Sequence, residues 1–195
     1  MYRVGITGVI GSGKTTVCKV FEHLGIDCYN ADLEARNIAD NHPVIIQKVK
    51  ETFGNGIYRN GKLNRKAMAD IVFKDKSLLL KLENIIHPAV FEHFTVWLRS
   101  ARGPYVIHES AVLIETNKCN FVDRILLVTA PEQLMIKRVM KRDGLSRQQV
   151  KDRMNSQYGQ EHKREFSDDI IVNDDIELVV PQVLRLHQFY TQLAK

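Results

Sequence analysis

The chain has 195 residues, 44% of them hydrophobic and 26% charged, which excludes collagen-like, mucin-like and wholly disordered classes and suits one elaborated globular domain. Twenty-eight Lys and Arg against 23 Asp and Glu leave a net charge of +5, which points to a polyanionic partner: nucleic acid, acidic membrane or a phosphate-rich small molecule. Cys18, Cys28 and Cys119 are odd in number and lack C-x-x-C spacing, so they read as free, buried thiols of a reducing compartment, with no disulfide framework or zinc site.

The first residues, Met1 to Ile6, show no basic stretch followed by an apolar one, and no apolar run nears the ~20 residues that span a bilayer. A cytoplasmic protein without a membrane segment is expected. Residues 2–6 read as an apolar strand that runs into a Gly-rich turn, and 14–24 as a helix with Val17, Val20, Phe21 and Leu24 at helical spacing. Residues 26–30 form a second strand. From 33 to 101 the pattern is helical, broken at Asn41-His42-Pro43, at the turn-rich stretch from Gly54 to Gly61, and at His87-Pro88. Trp97 shares a helical pattern with Phe91 and Phe94 and reads as core packing.

Residues 105–109, 124–128 and 169–172 are short, apolar and β-prone, as buried parallel strands are. Residues 132–166 are charged and helical. A closing helix spans 176–193, with Leu178, Val179, Gln182, Val183, Leu186 and Tyr190 on its inner face. Strands alternating with helices imply an α/β domain with a parallel sheet, interrupted by two helical insertions at the carboxyl end of the sheet, where open α/β folds place ligands.

Gly8-Val9-Ile10-Gly11-Ser12-Gly13-Lys14-Thr15 fits G-x-x-x-x-G-K-[ST] at every fixed position and lies between a predicted strand and a predicted helix. Gly11, Ser12, Gly13, Lys14, Thr15 and Thr16 are therefore the candidate ATP-binding residues. Glycines let the backbone close around phosphate oxygens, and the helix N-terminus presents N–H groups to the anion. Lys14 can bridge the β- and γ-phosphates, and the Thr15 hydroxyl can ligate Mg²⁺.

A GTPase would need D-x-x-G, and no Asp here has Gly three residues later. Asn117-Lys118-Cys119-Asn120 ends in Asn where the guanine-reading N-K-x-D has its carboxylate, so it reads as a polar loop. The strand at 105–109 ends in His108-Glu109 and not in the Asp of a motor ATPase. Helical insertions and a basic, lid-like segment favour a small-molecule kinase, in which a lid excludes water. A nucleic-acid-binding ATPase, suggested by charge alone, has no helix-turn-helix, RNP-like or zinc pattern behind it.

Six elements in order resemble the dephospho-CoA kinase family. They are the run from Thr7 to Val17; Leu24-Gly25 with Asn30-Ala31-Asp32 and Ala35-Arg36; Ile86-His87-Pro88; Val112-Leu113-Ile114-Glu115; Arg138 with Arg142-Asp143-Gly144-Leu145-Ser146, Arg153 and Gln157; and Lys163, Asp168 and Asn173. Asn30, Ala111 and Met135 depart from the family pattern, which has Asp, Pro and Gln there. The resemblance implies ATP and 3′-dephospho-CoA as substrates, coenzyme A and ADP as products, Mg²⁺ as cofactor, and no nucleic-acid or membrane partner. Nothing in the sequence reports an oligomeric state.

The implied fold is a three-layer P-loop kinase core (1–31, 102–131 and 168–195), a helical acceptor-binding region (32–101) and a helical lid (132–167). Within it Asp32 is the candidate general base toward a ribose 3′-hydroxyl, or a helix N-cap, or both. Arg36 and His87 are candidate acceptor contacts; a surface Arg and a packed His that ends a helix are the alternatives. Arg138 and Arg142, one helical turn apart, are catalytic candidates that would meet the phosphates when a lid closes, and Asn173 would contact adenine. Glu109 reads either as holder of a Mg²⁺-bound water or as an ordinary strand-end acid, and Glu115 as structural. Residues 132–165 hold nine Lys/Arg against five Asp/Glu, so four of the five net positive charges sit in the lid-like segment.

Overall fold

The computed structural model describes residues 1–72, 74–116 and 118–195, and the side chains of all of these but Lys118 and Cys119. The run at 117–120 that resembles N-K-x-D thus begins outside the described residues, as does the Cys119 side chain. In chain order the elements are β1 (Tyr2–Thr7), α1 (Lys14–His23), β2 (Cys28–Asn30), α2 (Ala31–Asn41), α3 (Pro43–Phe53), β3 (Tyr58–Arg59), β4 (Lys62–Leu63), α4 (Arg65–Val72) and α5 (Lys76–Leu98). There follow β5 (Tyr105–Glu109), β6 (Arg124–Thr129), α6 (Glu132–Asp143), α7 (Arg147–Asn155), α8 (Gln160–Glu165), β7 (Asp169–Val172) and α9 (Val179–Leu193). They pack as two compact units, Met1–Asn30 with Ala101–Lys195, and Ala31–Ser100.

The first unit is built on a five-stranded parallel sheet in the order β2-β5-β1-β6-β7. Strand alternation puts Val4, Ile6, Ile107, Leu126, Val128 and Ile171 on one face, where they bury against Val17 and Phe21 of α1 and Val183, Leu186 and Tyr190 of α9. On the opposite face Gly5 leaves room for neighbours: a Cβ there would lie 2.5 Å from Leu113 Cδ2 and 3.2 Å from Val122. Residue 5, without a side chain, thus lets the segment after β5 pack closely on the sheet. Cys18 is buried and Cys28 half-buried, and both are free thiols. Among the described residues no helix is long and apolar enough to cross a membrane.

Helices α6 to α8 also belong to this unit, and they divide what the sequence presents as one helical stretch. Gly144 ends α6 in the left-handed conformation, and Ser146 caps α7 in a reciprocal box with Gln149. The closing helix begins at Val179, not at 176, and Leu178, expected on its inner face, is 75% exposed. Asp174 accepts the Ile176 and Glu177 N–H groups and holds this approach as a turn.

The second unit arranges α2, α3 and α4 on the 23-residue α5. The expected break at His87-Pro88 does not occur, and Pro88 lies inside α5. The helix continues at the loss of one hydrogen bond, the one Asn84 C=O would have accepted, because Val90 and Phe94 on the next turns are buried. Phe94 stacks on Trp97 as core packing requires, but Phe91 is exposed. The turn-rich stretch contains an unforeseen hairpin: Asn60 and Gly61 both adopt positive φ (51° and 75°), the conformation of a two-residue turn, and join β3 to β4. Tyr58 Oη donates to Ala39 O (2.8 Å), and Asp40 takes Leu63 N–H (3.1 Å) and Arg65 (2.7 Å), so the hairpin is fastened to α2. Burial pushes the Asp40 carboxyl up, but the bonds from Arg65 and Leu63 N–H outweigh it and hold it below its ordinary value.

Candidate active site

Parallel register decides which strand ends meet the phosphate loop. Ile6 on β1 pairs with Glu109 on β5, and Asn30 on β2 pairs with the same Glu109. Glu109 therefore arrives level with the last turn of β1, two residues before Gly8. It is 4% exposed, and its two carboxylate oxygens have separate donors: Thr15 Oγ1 gives to Oε1 and Asn30 Nδ2 to Oε2, both at 2.7 Å. The sequence leaves Glu109 between a metal role and an ordinary strand end; it bonds to the loop threonine. It also accounts for Asn30. An Asp at 30 would set carboxylate against carboxylate, whereas the amide of Asn donates.

Within the loop the polar groups fall into two sets. Lys14 is nearly buried and its ammonium donates to Gly8 O (2.9 Å), while Ser12 N–H closes a turn onto Val9 O (3.0 Å). Ile10 N–H is taken by Gln157 Oε1 (2.9 Å), and Ser12 O by Asn173 Nδ2 (2.8 Å). Among the described residues no intramolecular bond reaches the N–H groups of Gly11, Gly13 or Thr15, and the fully buried Ser12 hydroxyl has no partner. Donors left without intramolecular partners at the start of α1 are the chemistry of an anion cradle. Thr16 follows them on an exposed part of α1.

Gly13 shows why the loop tolerates no side chain. Its φ is +95°, and a Cβ would stand 1.9 Å from Asn173 Nδ2. Asn173 is read from sequence as an adenine contact, yet its carboxamide is used at both ends: Nδ2 holds the loop and Oδ1 accepts Arg138 (3.2 Å). Arg138 is half-buried and also donates to Asn173 O (3.1 Å) and Asp175 Oδ1 (2.5 Å). Arg142, one turn on, is exposed and pairs with Asp143 (2.7 Å), which also takes Arg153 (3.5 Å) and pushes the Arg142 guanidinium further up. The structure thus treats the two arginines differently, one braced beside the loop and one held by an acid on the surface.

Glu115 forms an ion pair with Lys163. That ammonium is fully buried and donates to Glu115 Oε1 (2.7 Å), Glu115 Oε2 (2.8 Å) and Ala111 O (2.9 Å). Residue 111 contributes its carbonyl to this ammonium. Asp168 Oδ2 accepts Ile125 N–H (2.7 Å) at the start of β6.

The remaining candidates belong to the second unit. Asp32 lies inside the first turn of α2, which starts at Ala31, so it is a first-turn acid and not the N-cap that sequence spacing suggests. Arg36, one turn later on the same helical face, is exposed, and His87 is half-buried in the middle of α5 and does not end it. Sequence reading missed the bonds of Glu109, Gln157, Asn173 and Asp175. Their residue types carried a signal, since buried strand-end acids and amides need partners, but the partners lie up to 161 positions away.

For a metal, the Thr15–Glu109 pair offers hard oxygen ligands. Because the Thr15 proton goes to Glu109, the hydroxyl oxygen keeps lone pairs for a cation, which suits Mg²⁺ held by few protein oxygens and by phosphates.

The sequence model of dephospho-CoA kinase matches residues 2–177. The chain belongs to the dephospho-CoA kinase family. A family member from Hahella chejuensis is 37% identical over 194 residues, covering 98% of this chain and 93% of its own. One from Coxiella burnetii is 37% identical over 198 residues, with both chains fully covered. Among solved structures, TT1252 from Thermus thermophilus superposes with a TM-score of 0.86 at 31% identity over 96% of each chain. Dephospho-CoA kinase from Campylobacter jejuni superposes with a TM-score of 0.67 at 25% identity, over 99% of this chain and 98% of that one. Shikimate kinase from Acinetobacter baumannii, at a TM-score of 0.54 and 16% identity over 99% of this chain and 94% of that one, shares the fold alone. The fold expected from sequence, a P-loop kinase core with a parallel sheet, is the fold these relatives have.

Proposed function

We propose that this dephospho-CoA kinase transfers the γ-phosphoryl group of ATP to the ribose 3′-hydroxyl of 3′-dephospho-CoA, giving coenzyme A and ADP, with Mg²⁺ as cofactor. The family membership supports the reaction, and the loop's divided hydrogen bonding, tied groups and donors without intramolecular partners, supports the nucleotide half of the site. The N–H groups of Gly11, Gly13 and Thr15 with the Ser12 hydroxyl receive the phosphate oxygens. Lys14 exchanges its bond to Gly8 O for the β- and γ-phosphates, where its charge meets the negative charge of transfer. Thr15 and Glu109 would hold Mg²⁺, which supplies charge neutralisation between the phosphates.

Asp32 takes the proton of the acceptor hydroxyl as the P–O bond forms. Arg36 and His87 contact the acceptor. Arg142 leaves Asp143 for a phosphate, while Arg138 and Asn173 hold the loop that carries the charge. The lid is residues 132–167 and the acceptor region 32–101, in a protein that works in the cytoplasm. Incubation with ATP, Mg²⁺ and a panel of acceptors tests the reading. Product mass and fragmentation should show phosphate on the 3′-oxygen of dephospho-CoA; transfer to shikimate or a nucleoside monophosphate but not to dephospho-CoA overturns it.

A further inference from the structure

The strip from 157 to 163 is anchored to the phosphate-loop edge by three side chains and one N–H. Gln157 Oε1 accepts Ile10 N–H (2.9 Å), and Tyr158 N–H reaches Glu115 Oε1 (2.8 Å). Gln160 clasps Ala130 from both sides, accepting its N–H and donating to its C=O, each at 2.9 Å. Lys163 closes the strip through Glu115 and Ala111 O. Three of these contacts join structure outside the loop. Gln157 alone bonds to the phosphate loop itself, between its first glycine and the Gly-x-Gly-Lys run.

That bond has a specific consequence. Ile10 N–H is directed at Gln157, and the next residues turn through Ser12 N–H onto Val9 O (3.0 Å), which presents the following N–H groups to the cradle. Ile10 also packs beside Val9, Ala130 and Met135 on one side and Ile136, Val139 and Val150 on the other, so its backbone links the loop to the α6–α7 pair. From this geometry we propose that Gln157 is a positioning residue for phosphoryl transfer: its carboxamide oxygen orients the first half of the phosphate loop through Ile10 N–H and couples the seating of the α7–α8 connection to it. The mechanism needs the acceptor oxygen of Gln157 and not its bulk or its donor. The proposal rests on the kinase reading above, and its test is built to separate the two.

Two near-isosteric variants divide the possibilities. Q157M keeps the length and removes the acceptor; Q157E keeps an acceptor and adds charge. Misplacing reacting groups by about an ångström costs up to about 100-fold, so Q157M should lower kcat by about 10- to 100-fold and leave KM for dephospho-CoA within about threefold. Q157E should recover most of kcat and raise KM for ATP, since a carboxylate beside the loop repels phosphate. Amide hydrogen exchange at Ile10, read by NMR without nucleotide, should speed up at least about tenfold in Q157M and stay near the parent rate in Q157E.

Parent-like kcat and Ile10 exchange in Q157M overturn the proposal. Equal losses of kcat in both variants with a matching fall in Tm also overturn it, because a merely structural contact predicts that pattern. If the parent protein transfers nothing to dephospho-CoA, the kinase reading fails instead, and Ile10 exchange with ATP-binding titrations of the three proteins still decides the role of Gln157.

Discussion

The two units hold their candidate residues in opposite ways. At the phosphate-loop edge of the first unit, Lys14, Glu109, Asn173 and Arg138 are buried or half-buried, and all but Lys14, which bonds within the loop, reach groups far along the chain, as in Asn173 to Ser12 O and Thr15 to Glu109. In the second unit Asp32 and Arg36 ride on one helix, and Asp40 bonds Arg65 and Leu63 N–H to fasten the hairpin. The difference follows from the chemistry. A loop that must present N–H groups to an anion has to be held by its remaining polar atoms, whereas a side chain on a helix takes its position from the helix. Substitutions at the loop edge should therefore cost stability and activity together, and those at Asp32 or Arg142 activity alone.

The largest test of that contrast is Lys14→Met, which should lower kcat/KM for ATP by about 10³-fold in steady-state assays and also lower Tm, because Gly8 O loses its donor. Asp32→Asn should lower kcat by at least ~10², with Tm and KM for ATP unchanged. Near-parent kcat would remove Asp32 as the base, and a large fall in Tm would break the contrast. Gly13→Ala should cost about 1–3 kcal/mol in denaturant melts through its positive φ and its clash with Asn173, and should weaken ATP binding measured by titration.

Arg142→Ala should lower kcat/KM for ATP about tenfold with no change in Tm, since its guanidinium is exposed; Arg138→Ala should lower both. The smallest effect concerns the second unit alone. The Asp40 carboxyl is held below its ordinary value, so its contribution to stability is complete above about pH 4 and is lost as the pH falls through the lowered folded value. Asp40→Asn should flatten that part of the acid limb in melts taken between about pH 2 and 5, and an unchanged limb would show that the Arg65 pair carries none of it.

Reading the chain alone goes further at the loop than around it. The eight-residue pattern from Gly8 to Thr15 identifies the cradle because its physics is local: glycines for close approach, a helix start for the anion, and Lys14 within reach of it. The short strands at 105–109 and 124–128 are legible for the same reason. Pro88 shows where local rules fail. A proline reads as a break, but burial of Val90 and Phe94 on the same helix outweighs one missing hydrogen bond. The hairpin at Tyr58–Leu63 was legible as a turn at Asn60-Gly61 but not as strands, since two-residue strands carry no period.

The sequence by itself determined a P-loop kinase core, its family and the position of the candidate phosphate loop. These depend on neighbours within a few positions or on a chain-long run of motifs. Only the tertiary structure decided what Glu109, Asn30, Asn173, Gln157 and Lys163 do. Their meaning lies in which buried atom each one satisfies, and strand register and helix packing bring those atoms together from 48 to 161 positions away. A buried donor or acceptor must find its partner, but a single sequence does not say where along the chain that partner is.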